Sequence, residues 1–301
     1  MTRGRARRRG SGAPAVVPCE RNPDLERRIR EYAEVLQTQG HTLGTHGMGE
    51  DEFHQSGLFR GAIERVRGQF SATTRDKREF VRLVLNHMQD SGFIASYEAT
   101  GGASRHDYAV SMPDGRICAL ALTGCLDGNN TNIFERPDFA QEFVMWSLCT
   151  NPGADPRRNA WSGVHTRLSA EIVTRRQQVD GLVVWDWLCG TLSRPCPKLM
   201  RDSKPDSRLT TVGRYRVTPA CICLMPASVP TITSNPSPEP HRLEAVTFLQ
   251  ALHRCFGGMD DELNSVGVSV SAHGGETMRQ TTVSRGGQII HQSEPTAIRR
   301  R

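Results

Sequence analysis

The alternation of hydrophobic and polar positions in the second quarter of the chain predicts one helix followed by three strands. Apolar residues recur at helical spacing over 74–91, and Gly92 ends that pattern. Short apolar runs at 93–97, 106–110 and 117–122 then predict strands, with turn-forming residues before the third run. The third run is nearly continuous, which is typical of a strand covered on both faces. We therefore expect a helix packed beside a three-stranded meander.

Hydrophobic periodicity and turn-forming residues predict further helices and strands on both sides of the meander. An Asn-Pro pair at residues 22–23 is a typical helix start, because proline is favoured at the first helical position. The predicted helices cover 22–39, 58–70, 137–149, 164–177 and 241–256. The predicted strands cover 179–188 and 215–224, with a last hairpin from 266–271 and 281–284, extended by 288–292.

Composition divides the chain into regions. The first is rich in arginine, glycine and proline and is predicted to be a disordered basic tail, and five prolines mark a connection before the last helix. The predicted regions are a basic tail at 1–21, a helical segment at 22–73, a core at 74–225, a proline-rich connection at 226–240, a C-terminal helix and hairpin at 241–293, and a basic tail at 294–301.

The formal charge of +6 belongs to the two tails. The chain has 38 lysines and arginines, of which five arginines lie within residues 1–9 and three at 299–301. The remaining body therefore has 30 basic residues against 32 acidic ones. Arginine-rich tails bind nucleic-acid phosphates without sequence specificity. Solvated ends without a partner are the alternative interpretation.

The longest apolar runs are much shorter than the roughly 20 residues that cross a bilayer, so we expect no membrane association. Nine cysteines without a repeated spacing, in a chain with no recognisable secretion signal, favour the reducing cytoplasm. Patterns typical of nucleotide-binding proteins, serine hydrolases and zinc proteases are missing from the sequence.

The predicted order over 74–188 resembles the αβββαβ core of the PD-(D/E)xK nucleases, the restriction-endonuclease-like superfamily. The resemblance implies an α/β fold and metal-dependent hydrolysis of DNA, as in restriction or defence enzymes. In that superfamily an Asp opens the second core strand and a Glu-x-Lys motif lies on the third. The carboxylates hold Mg²⁺, and the lysine positions the attacking water.

Asp107 matches the Asp of this motif, and Glu79 matches the acidic residue that often helps from the first helix. Both are therefore candidate magnesium ligands and catalytic residues. The Glu-x-Lys positions are occupied by Ala121, Leu122 and Thr123, so the resemblance implies a degenerate site whose hydrolysis is weakened or lost. Glu79 could equally be a first-turn carboxylate that the helix dipole favours.

The missing groups could have moved to other positions. The chain has only three lysines, and Lys198 is the favoured substitute because it follows the strand predicted at 179–188. The acidic or amide candidates near the motif are Glu98, Asp127, Gln141 and Glu142.

DNA is the predicted partner. Arg116 and Arg136 are candidate phosphate contacts, and Asn129 and Asn130 lie in an asparagine-rich loop suited to phosphates or base edges. Alternatively, that loop is a turn held by side-chain hydrogen bonds. A noncatalytic nucleic-acid-binding or structural module on the same scaffold is the alternative function, and a homodimer is left open.

A zinc site is disfavoured. The cysteines at 189, 196, 221 and 223 lack paired C-x₂-C spacing, so buried thiols are the favoured interpretation. The loop at 40–57 holds three histidines, but their spacing is not that of metal ligands.

Overall fold

The computed structural model describes residues 23–38, 62, 74–100, 106–123, 135–148, 163–191, 196–200 and 202–298. These residues form a mixed α/β fold built on a ten-stranded sheet, with a separate two-stranded sheet. The predicted tail at 1–21 lies outside the described residues, as do residues 299–301 of the tail predicted at 294–301 and the helix predicted at 58–70 except for Ala62. Residues 294–298 of the second tail are described and include a two-residue strand.

The helices and strands are labelled here in chain order. The helices are α1 Pro23–Thr38, α2 Thr74–Asp90, α3 Gly163–Arg175 and α4 Thr247–Cys255, with a further helical turn at Pro197–Met200. The strands are β1 Ser96–Ala99, β2 Tyr108–Ser111, β3 Ile117–Thr123, β4 Glu142–Ser147, β5 Gly181–Val184, β6 Thr210–Val212, β7 Tyr215–Val217, β8 Ile222–Leu224, β9 Asn264–His273, β10 Glu276–Arg285, β11 Gln288–Gln292 and β12 Thr296–Ala297.

The predicted helix and meander are confirmed as α2 followed by β1, β2 and β3. The large sheet has the order β1-β2-β3-β4-β5-β8-β9-β10-β11, and β12 also pairs with β10. Strands β1, β2 and β3 are antiparallel, whereas β3, β4 and β5 run parallel. Helix α3 connects β4 to β5, as expected for parallel neighbours that need a crossover.

The prediction of a helix at 137–149 is wrong, because the structure places strand β4 there. All six residues of β4 are buried, and the run from Phe143 to Trp146 is at most 1% exposed. A central parallel strand buried on both faces has no polar-apolar alternation, so periodicity alone cannot separate it from a short buried helix. The order of elements is therefore αββββαβ, whereas we expected αβββααβ, which is the αβββαβ core with an extra helix at 164–177 before the last strand.

Two other predicted strands differ in extent. The strand predicted at 215–224 is divided into β7, which pairs with β6 in the small sheet, and β8, which joins the large one. Pro219 lies between them and has no N–H to donate to a ladder. The strand predicted at 179–188 is shorter and consists of β5 alone.

The C-terminal hairpin is confirmed as β9 and β10, extended by β11. It continues the large sheet, because β9 pairs with β8 in parallel. The hairpin of the region predicted at 241–293 therefore belongs to the same sheet as the strands of the predicted core.

Two apolar layers cover the sheet. On one side α2 and α4 pack with the rings of Phe80, Trp146, Trp185, Phe248 and Phe256, all at most 1% exposed. On the other side Leu168 and Ile172 of α3 belong to a second buried cluster that includes residues of β3, β4, β5, β9 and β10, and Ser169 of α3 hydrogen-bonds to Thr281 of β10. We call these the α2 layer and the α3 layer.

Candidate functional site

Asp107 lies just before β2, beside the carboxyl end of β3. The β2–β3 register places it across from Ala121, and its N–H donates to the carbonyl of Leu120 at 2.7 Å. Both carboxylate oxygens accept hydrogen bonds. Nη2 of Arg78 in α2 is 3.3 Å from Oδ1, and the N–H of Leu122 is 2.8 Å from Oδ2.

The replaced motif residues follow the alternation of a strand. Ala121 is buried in the α3 layer, whereas Leu122 packs against the α2 layer. Thr123, two residues after Ala121, is half-buried on the same face by this alternation. The Asp107 carboxylate is held at the carboxyl end of β3 by Arg78 of α2 and by the N–H of Leu122.

Lys77, in the first turn of α2, is the lysine that lies close to Asp107. Burial lowers the pKa of Lys77, and the negative charge of Asp107 partly opposes that shift. Lys77 was not among the site residues predicted from the sequence. Two signals were present: the chain has three lysines, and Lys77 stands two residues before Glu79. Arg78 thus pairs with Asp107 near the amino end of α2, and Lys77, the residue before it, lies within electrostatic range of the same carboxylate.

Lys198 lies elsewhere. Its side chain is buried, and Nζ donates to the carbonyls of Pro219 at 3.2 Å and Ala220 at 2.6 Å. This segment leads into β8, which is four positions from β2 in the sheet. At about 4.8 Å per strand the separation is about 20 Å. The structure does not bring Lys198 to Asp107.

Glu79 is paired with a different arginine. Nη2 of Arg214 lies 3.3 Å from its Oε2, and Arg214 belongs to the turn between β6 and β7. The two predicted metal ligands, Asp107 and Glu79, are thus held by separate guanidinium groups.

The donor set in this arrangement does not fit Mg²⁺. The ion takes oxygen ligands in near-octahedral geometry, usually including one or two carboxylates. The guanidinium of Arg78 already lies 3.3 Å from Oδ1 of Asp107, so a metal ion there meets a positive charge, and Ala121 and Thr123 supply no second carboxylate. Across the described ranges no group of three His, Cys, Asp or Glu side chains is placed to hold a metal ion.

Arg116 and Arg136 lie at the other end of β3 and β4. Arg116 precedes β3 and its Nε is 2.8 Å from Oδ2 of Asp114 in the β2–β3 turn. Arg136 contacts the buried carboxylate of Asp180. The seven residues of β3 separate this end from Asp107, about 20 Å along a strand. Asn129 and Asn130 lie outside the described residues.

Asp180 is the centre of a buried polar network. Its carboxylate accepts the N–H of Phe143 at 2.7 Å and contacts Nε2 of His241 at 2.9 Å. Burial alone raises the pKa of Asp180, but the hydrogen bond from His241 and the charge of Arg136 outweigh burial and hold it below the usual value. Arg136 therefore compensates a buried charge.

The cysteines of the disfavoured zinc site, at positions 189, 196, 221 and 223, are all buried. Burial, with a contribution from Cys221, raises the pKa of Cys223 and so favours its thiol. Zinc binds the thiolate. The three histidines of loop 40–57 lie outside the described residues.

Comparisons of the chain with protein-family models, with curated proteins and with solved structures find no match. Among the helices described above, none has the length and apolar content needed to cross a bilayer.

Proposed function

We propose that this chain is a DNA-acting protein on a restriction-endonuclease-like scaffold, in which metal-dependent phosphodiester hydrolysis is weakened or lost. The observation that carries the proposal is the grouping of Asp107 with Lys77 and Arg78 where α2 begins beside the end of β3. The resemblance to the nuclease superfamily implies an Asp at the start of the second strand and a lysine ammonium beside it. Here the ammonium comes from α2 instead of β3.

The charges at this surface are suited to a phosphate. Lys77 is half-buried, so its ammonium interacts with an anion more strongly than a fully solvated one does. The N–H groups of the first helical turn also point toward this end of α2. Weak hydrolysis is expected because Ala121 and Thr123 supply neither a second carboxylate nor an ammonium.

A noncatalytic binding module on the same scaffold is the second candidate function, and one contact favours it. The guanidinium of Arg78 lies 3.3 Å from Asp107 and supplies there the positive charge that a metal ion would otherwise supply. Such a pair retains the local charge balance without any cation. It predicts DNA binding that is independent of divalent ions.

The test uses the full chain with labelled duplex and single-stranded DNA and with plasmid DNA. Binding is measured by fluorescence anisotropy with Mg²⁺, with Mn²⁺ and with a chelator, and cleavage by plasmid nicking. We expect saturable binding with little or no nicking. Lys77→Ala should weaken binding about ten-fold, since one hydrogen-bonded charge contributes on the order of 1.5 kcal/mol.

Lys204→Ala is the matched control, because Lys204 is an exposed lysine in another part of the structure. It should leave affinity nearly unchanged. Equal losses in the two variants, or no DNA binding at low salt by the wild type, would contradict the proposal. Nicking that persists in Asp107→Ala would remove Asp107 from the catalytic role.

A further inference from the structure

Two half-buried aromatic rings and an arginine form a stack beside the surface that holds Lys77 and Asp107. The rings of Trp187 and Tyr215 are stacked, with centroids 5.9 Å apart and planes inclined by 28°. The guanidinium carbon of Arg214 lies over the Tyr215 ring, 5.0 Å from its centroid. We call these three side chains the aromatic–arginine stack.

A tight turn fixes the position of Arg214. Val212 and Tyr215 are paired across the β6–β7 hairpin, so Gly213 and Arg214 form a two-residue turn. Gly213 has φ of +57°, and a glycine at the first central position is the mark of a type II′ hairpin turn. A side chain at Gly213 would also start 3.0 Å from Leu83 of α2. The turn therefore lies directly on α2 and presents Arg214 at its tip.

The core below the stack fixes the two rings. Phe80 of α2 contacts both of them, with centroids 5.5 Å from Trp187 and 5.6 Å from Tyr215. Phe80 is itself fully buried. Rings held in this way lose little conformational freedom when a further planar group is added to the stack.

Arg214 forms the exposed end of the stack. Its side chain is 64% exposed, so a planar ring has access to it. Nη2 contacts the hydroxyl of Tyr215 at 2.7 Å and Oε2 of Glu79 at 3.3 Å, and these bonds orient the guanidinium plane. A guanidinium plane is one of the surfaces on which unstacked nucleobases pack.

We propose that the aromatic–arginine stack binds one unpaired nucleobase of a single-stranded or locally opened nucleic acid. The inference rests on the proposed function, because it takes the bound polymer to be a nucleic acid. Glu79, which contacts Arg214, lies in the first two turns of α2, the helix that also carries Lys77 and Arg78. The phosphates next to the stacked base therefore pass close to the amino end of this helix. A base in a duplex has no free face for the stack, so duplex DNA gains nothing from it.

The competing role for Arg214 is that of a phosphate contact. Replacing Arg214 by lysine distinguishes the two roles. Lysine keeps the positive charge, but it lacks the planar surface that stacks on a ring. Arg214→Lys therefore preserves a phosphate contact and removes a stacking surface.

The experiment measures the affinity of the full chain for a short single strand carrying 2-aminopurine and for the same strand in a duplex. The fluorescence of 2-aminopurine falls when the base stacks. We expect quenching with the single strand only. Arg214→Ala and Arg214→Lys should each weaken single-strand binding about ten-fold and change duplex binding by less than about two-fold.

Arg216→Ala is the matched control, because Arg216 is on the same hairpin and its side chain is 61% exposed, close to the 64% of Arg214. Arg216→Ala should weaken the binding of single-stranded and duplex DNA equally and only slightly. Wild-type affinity in Arg214→Lys, or equal losses on both forms, overturns the stacking role. Binding of duplex but not of single strands overturns it too while leaving the proposed function standing. Binding of neither form overturns both.

Discussion

Among single residues, Glu142 shows how one buried carboxylate connects a strand to a helix. Its Oε2 accepts the N–H of Phe248 at 2.9 Å, and its Oε1 accepts the N–H of Leu249 at 3.2 Å. These first-turn groups of α4 have no partner inside the helix, and Val246 at the N-cap provides no side-chain hydrogen bond. Glu142 of β4 therefore caps α4 from the neighbouring element.

The environment of Glu142 predicts a loss of stability as the pH rises. Burial raises the pKa of Glu142 to about 7 from its ordinary 4.5, although the two backbone N–H groups act in the opposite direction. Because the folded pKa is above the unfolded one, this contribution is fully present below about pH 4.5 and is lost as the pH rises through about 7. The loss can reach about 3 kcal/mol, at 1.36 kcal/mol per pKa unit.

Glu142→Gln tests this prediction, since glutamine resembles the protonated acid and does not titrate. Chemical denaturation between pH 5 and 8 should give a flatter stability profile for the variant, displaced downward at pH 5 by about 1–3 kcal/mol because the amide NH₂ cannot accept one of the two N–H groups. The comparison isolates Glu142, because the wild type and the variant share all other titrating groups. Parallel profiles would show that Glu142 is ionised in the folded protein throughout this range.

At the scale of elements, restoring the Glu-x-Lys motif on β3 tests whether the candidate site descends from that of an active nuclease. Ala121→Glu with Thr123→Lys places a carboxylate and an ammonium on one face of β3 beside Asp107. Ala121 is 5% exposed, so the new carboxylate should destabilise the protein unless a cation pairs with it. We expect Mn²⁺ to raise the thermal midpoint of the double variant by several degrees and to leave the wild type unchanged.

Thr123→Lys alone is the control, because it adds the ammonium without the second carboxylate. Calorimetry with Mn²⁺ measures the site directly, and plasmid nicking measures any recovered hydrolysis. A folded double variant with neither metal binding nor nicking would count against descent from an active nuclease.

The helices and strands also show which parts of the fold can be predicted from the sequence. Helix α2 and strands β1 to β3 were predictable because their periodicity is strong and glycines mark their ends. Strand β4 was not, since its buried residues alternate between two apolar layers and carry no polar face. Asp107 could be proposed as a site residue from its place in the pattern, whereas the approach of Lys77 depends on how α2 packs on the sheet. That packing involves residues distant in the chain, so no local pattern encodes it.

For the whole molecule, the distribution of charge separates two sources of DNA affinity. The full chain carries +6, whereas the body without the eight terminal arginines is near −2. Lys77, Arg78 and Arg214 each lie near an acidic side chain of the fold. Long-range attraction to phosphates should therefore come mainly from the tails, and contacts of defined geometry from the surface beside α2.

The salt dependence of DNA binding tests this division. Each phosphate neutralised on duplex DNA contributes about 0.9 to the slope of log affinity against log salt, so deleting residues 1–21 and 299–301 should reduce the slope by roughly two to four. Replacing eight of the deleted arginines by glutamine at unchanged length is the control and should give the same reduction, because the deletion removes the ninth, Arg21, together with Glu20. The arginines replaced are Arg3, Arg5, Arg7, Arg8, Arg9, Arg299, Arg300 and Arg301. The preference of the full chain for a single strand over a duplex should survive both changes, because the aromatic–arginine stack is untouched. An unchanged slope would instead assign the phosphate contacts to the folded body.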